Sequence, residues 1–108
     1  MKVSIEDTAL SNFEIHDNVL TVNVELYWEK HAEFLRYVEE ILSHDCERVI
    51  LDLTPVTFIF SAYMGTIGHM VAESAKAGKR LTVRVSRNLS WLFEIAGFEK
   101  LVDLEIVN

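Results

Sequence analysis

The sequence is poor in residues that staple or break a fold. Its 108 residues include one cysteine (Cys46), one proline (Pro55) and four glycines. A single cysteine excludes an intramolecular disulfide and a cysteine-rich zinc site. No run of about 18 apolar residues occurs, which excludes a helical membrane span. Basic residues are scarce: ten Lys and Arg stand against seventeen Asp and Glu, a formal charge of −7. Nucleic-acid binding needs clustered cations on phosphates, so that class is excluded too. The first twelve residues carry Glu6 and Asp7 and no apolar run, so no signal peptide is expected. What remains, 50% hydrophobic and 25% charged, is the composition of a soluble globular domain. We expect a single cytoplasmic domain over residues 1–108.

The acid is unevenly placed. Residues 1–60 hold twelve acidic and four basic residues, whereas residues 61–108 hold five and six. Solvated helix faces account for this unevenness, and so does an acidic surface able to steer a partner.

Hydrophobic periodicity sets the elements. Phe13 and Ile15 alternate with Glu14 and His16, and Asp17-Asn18 suits a tight turn because both residues tolerate positive φ. Leu20, Val22, Val24 and Leu26 then alternate with Thr21, Asn23 and Glu25, a half-buried strand. Val3-Ser4-Ile5 is compatible with a further short strand. Phe34, Leu35, Val38, Ile41 and Leu42 fall on one face of a helix over about 27–43. Arg48 to Leu53 reads as a buried central strand, with Pro55 just beyond it. A second helix runs over about 62–77, with Ser61 as its natural N-cap and Gly78 closing it. Within it Ala62, Gly65, Gly68, Ala72 and Ala75 form a nearly bare stripe. Interior glycines cost about 1 kcal/mol each against alanine, so the stripe is expected to pack closely on the sheet. Leu81, Val83 and Val85 mark a strand, residues 89–96 a short helix ended by Gly97, and residues 101–107 a last strand.

The order is a β-hairpin followed by α, β, α, β, α, β. Three strands alternate apolar with polar, so their polar sides should meet water. The expected fold is a two-layer α/β domain: a mixed β-sheet with helices mainly on one face.

Catalytic and metal constellations are thin. His16, His31, His44 and His69 lack ligand spacing, and Cys46 has no evident base beside it. Gly65 and Gly68 lie inside a helix and lack a P-loop lysine. No cofactor or metal is expected. Asp52, near the C-terminal end of a strand, occupies a place where α/β domains often put functional groups. The junction from Thr57 to Gly65 stands out more. It joins the buried strand to a helix N-terminus and carries Phe60 and Tyr63, aromatics that either mark an exposed contact surface or tuck into the core.

These residues carry a family resemblance. Val49 to Leu53, Val56 to Ile59, Ser61, Gly65, Ala77 to Leu81 and Leu92 to Phe98 together resemble the STAS domain of anti-sigma factor antagonists, over most of residues 13–107. The resemblance implies a non-catalytic binding module whose protein partner is an anti-sigma factor that is also a serine kinase. In that family an Asp-Ser-Ser/Thr-Gly-Leu-Gly run opens the second helix, and its second hydroxyl residue is phosphorylated. Here the run reads Phe60-Ser61-Ala62-Tyr63-Met64-Gly65. Phe60 replaces the aspartate, Ala62 the phospho-acceptor and Tyr63 the first glycine. The family's Gly-Glu-Ile/Leu-Asp stretch departs as well, since Glu25-Leu26 leads into Tyr27-Trp28 and not into an aspartate.

The expected contact surface is Phe60, Ser61, Ala62, Tyr63 and Met64, with Asp52 beside it. The expected patch is apolar, at Phe60 and Tyr63, and is not switched at the usual position. Ser61 is an alternative phosphorylation site. A second reading implied by the resemblance is a cytoplasmic regulatory subunit of a transporter complex. A homodimer is compatible with either.

Overall fold

The computed structural model describes residues 12–108. The strand considered at Val3-Ser4-Ile5 lies outside them. Five strands form one sheet: β1 (Phe13–His16), β2 (Val19–Val22), β3 (Arg48–Asp52), β4 (Arg80–Ser86) and β5 (Asp103–Val107). Their spatial order is β1-β2-β3-β4-β5, with β1 and β2 antiparallel and every other pair parallel. Three α-helices make the connections: α1 (His31–Leu42), α2 (Ser61–Lys76) and α3 (Arg87–Ile95).

Sequential order explains the layering. Each parallel connection steps in the same direction to the next strand. Right-handed crossovers then place every helix on the same side of the sheet. The expected two-layer α/β fold is what forms. Leu20, Leu51 and Val83 lie in register on the covered face, all fully buried. The opposite face carries Thr21, Asp52, Arg84 and Glu105 in one row, and Arg84 Nε donates to Glu105 at 2.6 Å. Arg48 lies on that face too and donates to the Thr82 hydroxyl at 3.0 Å.

The hairpin turns as expected, but only Asp17 takes the left-handed conformation, with φ 56°. Asn18 contributes through its side chain, donating to the Arg48 carbonyl at 2.8 Å. β2 stops at Val22, well short of Leu26. Leu26 makes only an isolated parallel bridge with Ile59. A 3₁₀ turn over Trp28–Lys30 precedes α1, which therefore starts later than its periodicity suggested.

Two expectations for α2 are overturned. Phe60 occupies the N-cap position and no side chain caps the helix, so Ser61 is its first residue and not its cap. The Ala/Gly stripe does not pack on the sheet. Ala62, Gly65, Ala72 and Ala75 are exposed, and a Cβ built on Gly65 meets nothing within 4 Å. Gly68 faces the ring of Phe98, not a strand, at 3.6 Å from such a Cβ. The buried face is Tyr63, Thr66, Ile67, Met70 and Ser74. The reason is area: burial stabilises by about 25 cal/mol per Å² of apolar surface, so the face with the larger side chains turns inward. Gly78, at φ 72°, follows the C-cap residue Ala77, and the Lys79 amide returns to the Ser74 carbonyl at 2.8 Å.

Candidate protein-contact site

Between β3 and α2 the chain passes over the ends of β2 and β3 as a loop, residues 53–60. Its course begins with Asp52, whose Oδ1 accepts from the Thr54 amide at 3.0 Å and the Thr54 hydroxyl at 2.8 Å. That arrangement turns the chain out of β3 ahead of Pro55. Glu25, beyond the end of β2, then takes hold of the loop. Its Oε1 accepts from the amides of Thr57 at 2.8 Å and Phe58 at 3.0 Å, and its Oε2 from the Thr57 hydroxyl at 2.6 Å. Burial pushes the Glu25 carboxyl up, but these three hydrogen bonds outweigh it and hold the group below the ordinary glutamate range.

Tyr63 is anchored from beneath. It is fully buried, its ring centroid 5.5 Å from that of Phe34 and 5.1 Å from that of His31. Its hydroxyl donates to the Tyr27 carbonyl, which also accepts from the Lys30 amide at 3.0 Å. Desolvation pushes the phenol up to about 12, with the nearby charges of Glu29 and Glu33 adding to the effect. His31 Nε2 is in hydrogen-bond contact with the Thr66 hydroxyl at 2.6 Å, which ties the start of α1 to α2.

These two anchors leave three aromatic rings on the surface. Tyr27, Phe58 and Phe60 are 48%, 45% and 37% exposed. Their ring centroids lie 5.9 Å apart for Tyr27–Phe58, 6.0 Å for Tyr27–Phe60 and 5.0 Å for Phe58–Phe60. Each ring touches both others, edge-on or tilted, the geometry aromatic pairs favour. Ser61 and Ala62 are exposed just beyond Phe60, at the start of α2.

The family model described as "Mlab, STAS domain" matches residues 11–103. The chain belongs to this STAS-domain family. Solved structures agree on the fold. An anti-sigma factor antagonist from Mycobacterium paratuberculosis superposes with a TM-score of 0.73 at 17% identity, covering 86% of this chain and 81% of that one. A proposed anti-sigma factor antagonist from Thermotoga maritima superposes with a TM-score of 0.70 at 20% identity, covering 89% and 84%. A comparison with curated proteins yielded no match.

The expected site residues separate. Phe60, Ser61 and Ala62 are exposed together, as the motif position implies. Met64 is half-buried and packs on the core. Tyr63 is not a surface aromatic: it fills the core beneath the site and supports it. Asp52 is engaged in the turn to Thr54. Sequence reasoning missed Tyr27, Phe58 and Glu25. A signal for one was present, because Tyr27 stands where the STAS pattern has an aspartate. Glu25 keeps the glutamate of the same stretch, but its partners, over thirty residues away, could not be read from it.

Among the described residues no helix is long and apolar enough to cross a membrane, and no group of three or more His, Cys, Asp or Glu could hold a metal ion.

Proposed function

We propose that this protein is a non-catalytic protein-interaction module, resembling an anti-sigma factor antagonist, that takes its partner on the triad Tyr27–Phe58–Phe60. One observation carries the reading. The two positions where an aromatic replaces a family aspartate, 27 and 60, bring their rings to a centroid distance of 6.0 Å. Phe58 completes the cluster. A charged contact surface has been exchanged as a unit for an apolar one, which selects a partner with a complementary apolar surface. Exposed clustered aromatics at a polar margin are the usual anchors of protein interfaces.

The partner in this reading is a kinase-type anti-sigma factor, held without the family's off-switch. Phosphate would add about −1.5 to −2 charges at the helix start, but Ala62 offers no hydroxyl to carry it. Exposed Ser61 is the neighbouring hydroxyl left for a kinase. The missing acceptor also favours a second reading, in which the partner is no kinase and the domain is a regulatory subunit of a transporter complex.

Affinity capture from the native host tests both. The wild-type domain should retain one partner, identified by mass spectrometry as an anti-sigma factor or a transporter subunit. The double variant Phe58→Ala/Phe60→Ala should retain it at least about 30-fold less tightly while keeping its circular dichroism. Capture unchanged by the double substitution refutes the surface. Intact mass after incubation with a captured kinase, compared between wild type and Ser61→Ala, shows whether Ser61 takes phosphate.

A further inference from the structure

The face of the sheet that no helix covers has a charge pattern of its own. Arg48 and Arg80 stand side by side where β3 and β4 begin. Four residues further, about 13 Å along the strands, Glu14, Asp52 and Glu105 share a row with one cation, Arg84. One end of the face therefore carries two guanidinium groups, and the other three carboxylates against one guanidinium. Between them runs a middle row in which Val19 and Ile50 are in register and half-buried.

Some of these charges are settled within the chain. Arg80 pairs with Asp103 at 2.8 Å and Arg84 with Glu105 at 2.6 Å. Two on the central strand are not. Arg48 donates to a neutral hydroxyl, that of Thr82 at 3.0 Å, and Asp52 accepts from the amide and hydroxyl of Thr54. Among the described residues neither has an ion pair. Ile50 lies midway between them, so the side chains that β3 turns to the open face read cation, apolar, anion.

That order is self-complementary under a two-fold axis. With the axis between two such faces, across the strands and through Ile50, each Arg48 comes over the second copy's Asp52, and Ile50 meets Ile50. The neutral pairs Arg80–Asp103 and Arg84–Glu105 then face each other and add no net repulsion. Facing sheets pack about 10 Å apart with strand directions within about 30°, a gap that an extended arginine and an aspartate span together. The area limits the strength. Five strands about 4.8 Å apart and five residues deep give roughly 400 Å² in plan, about half of what each partner buries in a standard interface. We propose that this protein associates through its open sheet face into a weak two-fold dimer, held by reciprocal Arg48–Asp52 pairs around Ile50. The association is independent of the partner taken on the aromatic triad, which stands on loops beyond β2 and β3.

Sedimentation equilibrium of the full chain, from about 5 to about 500 μM, tests it. The average mass should rise with concentration from 12.4 kDa toward twice that value. Arg48→Glu and Asp52→Lys each bring like charges together at both contacts, and each should weaken the dimer at least about tenfold. An equimolar mixture of the two variants should recover it, because every charge at the contacts then meets its opposite. Loss of folding cannot produce that recovery. In a Cys46→Ser background, Ile50→Cys should be joined to its mate by a short bismaleimide. A chain that stays monomeric throughout the range overturns the proposal. So does a dimer indifferent to both charge changes, a mixture that stays monomeric, or a dimer in which Ile50→Cys is not joined.

Discussion

Glu25 holds Thr57 at two points, accepting from its amide at 2.8 Å and from its hydroxyl at 2.6 Å. The pair joins the end of β2 to the loop that carries Phe58 and Phe60. It explains how two exposed aromatics keep a defined position on a connecting segment. Side-chain hydrogen bonds to an ionised acceptor are among the stronger ones, and here they converge on consecutive amides.

Removing this carboxylate should loosen the aromatic surface without unfolding the domain. Glu25→Ala leaves the amides of Thr57 and Phe58 without their acceptor, at a cost of about 1–2 kcal/mol in urea denaturation. The dependence on pH has a definite sign. The folded carboxyl lies below the ordinary glutamate value of 4.5, so its contribution is complete above that value and fades as pH falls through the folded one. The stability difference between wild type and Glu25→Gln should therefore shrink as pH falls below 4.5. A difference that stays constant through that range would show that the charge of Glu25 does no work in the clamp.

Tyr63 should behave as a core residue with one polar tether. Tyr63→Phe removes the hydrogen bond to the Tyr27 carbonyl and should cost about 1 kcal/mol. Its phenol ionises near 12 when folded, against 10.0 ordinarily. The unfolded chain thus releases this proton first, and the contribution to stability, complete below 10, is lost as pH rises from there. An absorbance titration of the folded protein should show a phenol ionising near 12 that is missing in Tyr63→Phe. Its persistence in the variant would assign that ionisation elsewhere.

The two helical glycines give a clean test of which way α2 faces. Gly65 has open space where a Cβ would stand, and Gly68 has ordinary contact with Phe98 at 3.6 Å. Gly65→Ala and Gly68→Ala should each stabilise by about 0.5–1 kcal/mol through helix propensity. That corresponds to a rise of several degrees in melting temperature. A close approach of this face to the sheet would make both substitutions destabilising.

Much of this architecture could be read from local pattern. Alternation in Phe13–His16 and Arg80–Ser86 marks strands with one wet face, and Phe34, Val38 and Ile41 recur at helical spacing on the side of α1 that is buried. The alternation of Leu81, Val83 and Val85 with Thr82, Arg84 and Ser86 implies a sheet covered on one side only, because charged side chains do not stay under a second helical layer. The STAS resemblance was legible for the same reason: it rests on the order and spacing of these elements, which packing preserves.

The site was only half legible. Helix α2 has one face of small residues and one of large ones, and its charged residues Glu73 and Lys76 fall only in the last turn, so periodicity orients its earlier turns weakly. Tertiary packing chose Tyr63, Ile67 and Met70 for the interior, since burying larger apolar surface releases more water. That choice removed Tyr63 from the surface and left Phe60 there. The meeting of Tyr27 with Phe58 and Phe60, and of Glu25 with Thr57, spans over thirty residues and follows from the parallel bridge between Leu26 and Ile59. Sequence by itself determined the elements, the single covered face and the family. The face that α2 buries and the rings that share a surface were decided only by tertiary structure, because contacts between distant segments depend on strand register and on competition for buried area, and neither is encoded in any local window.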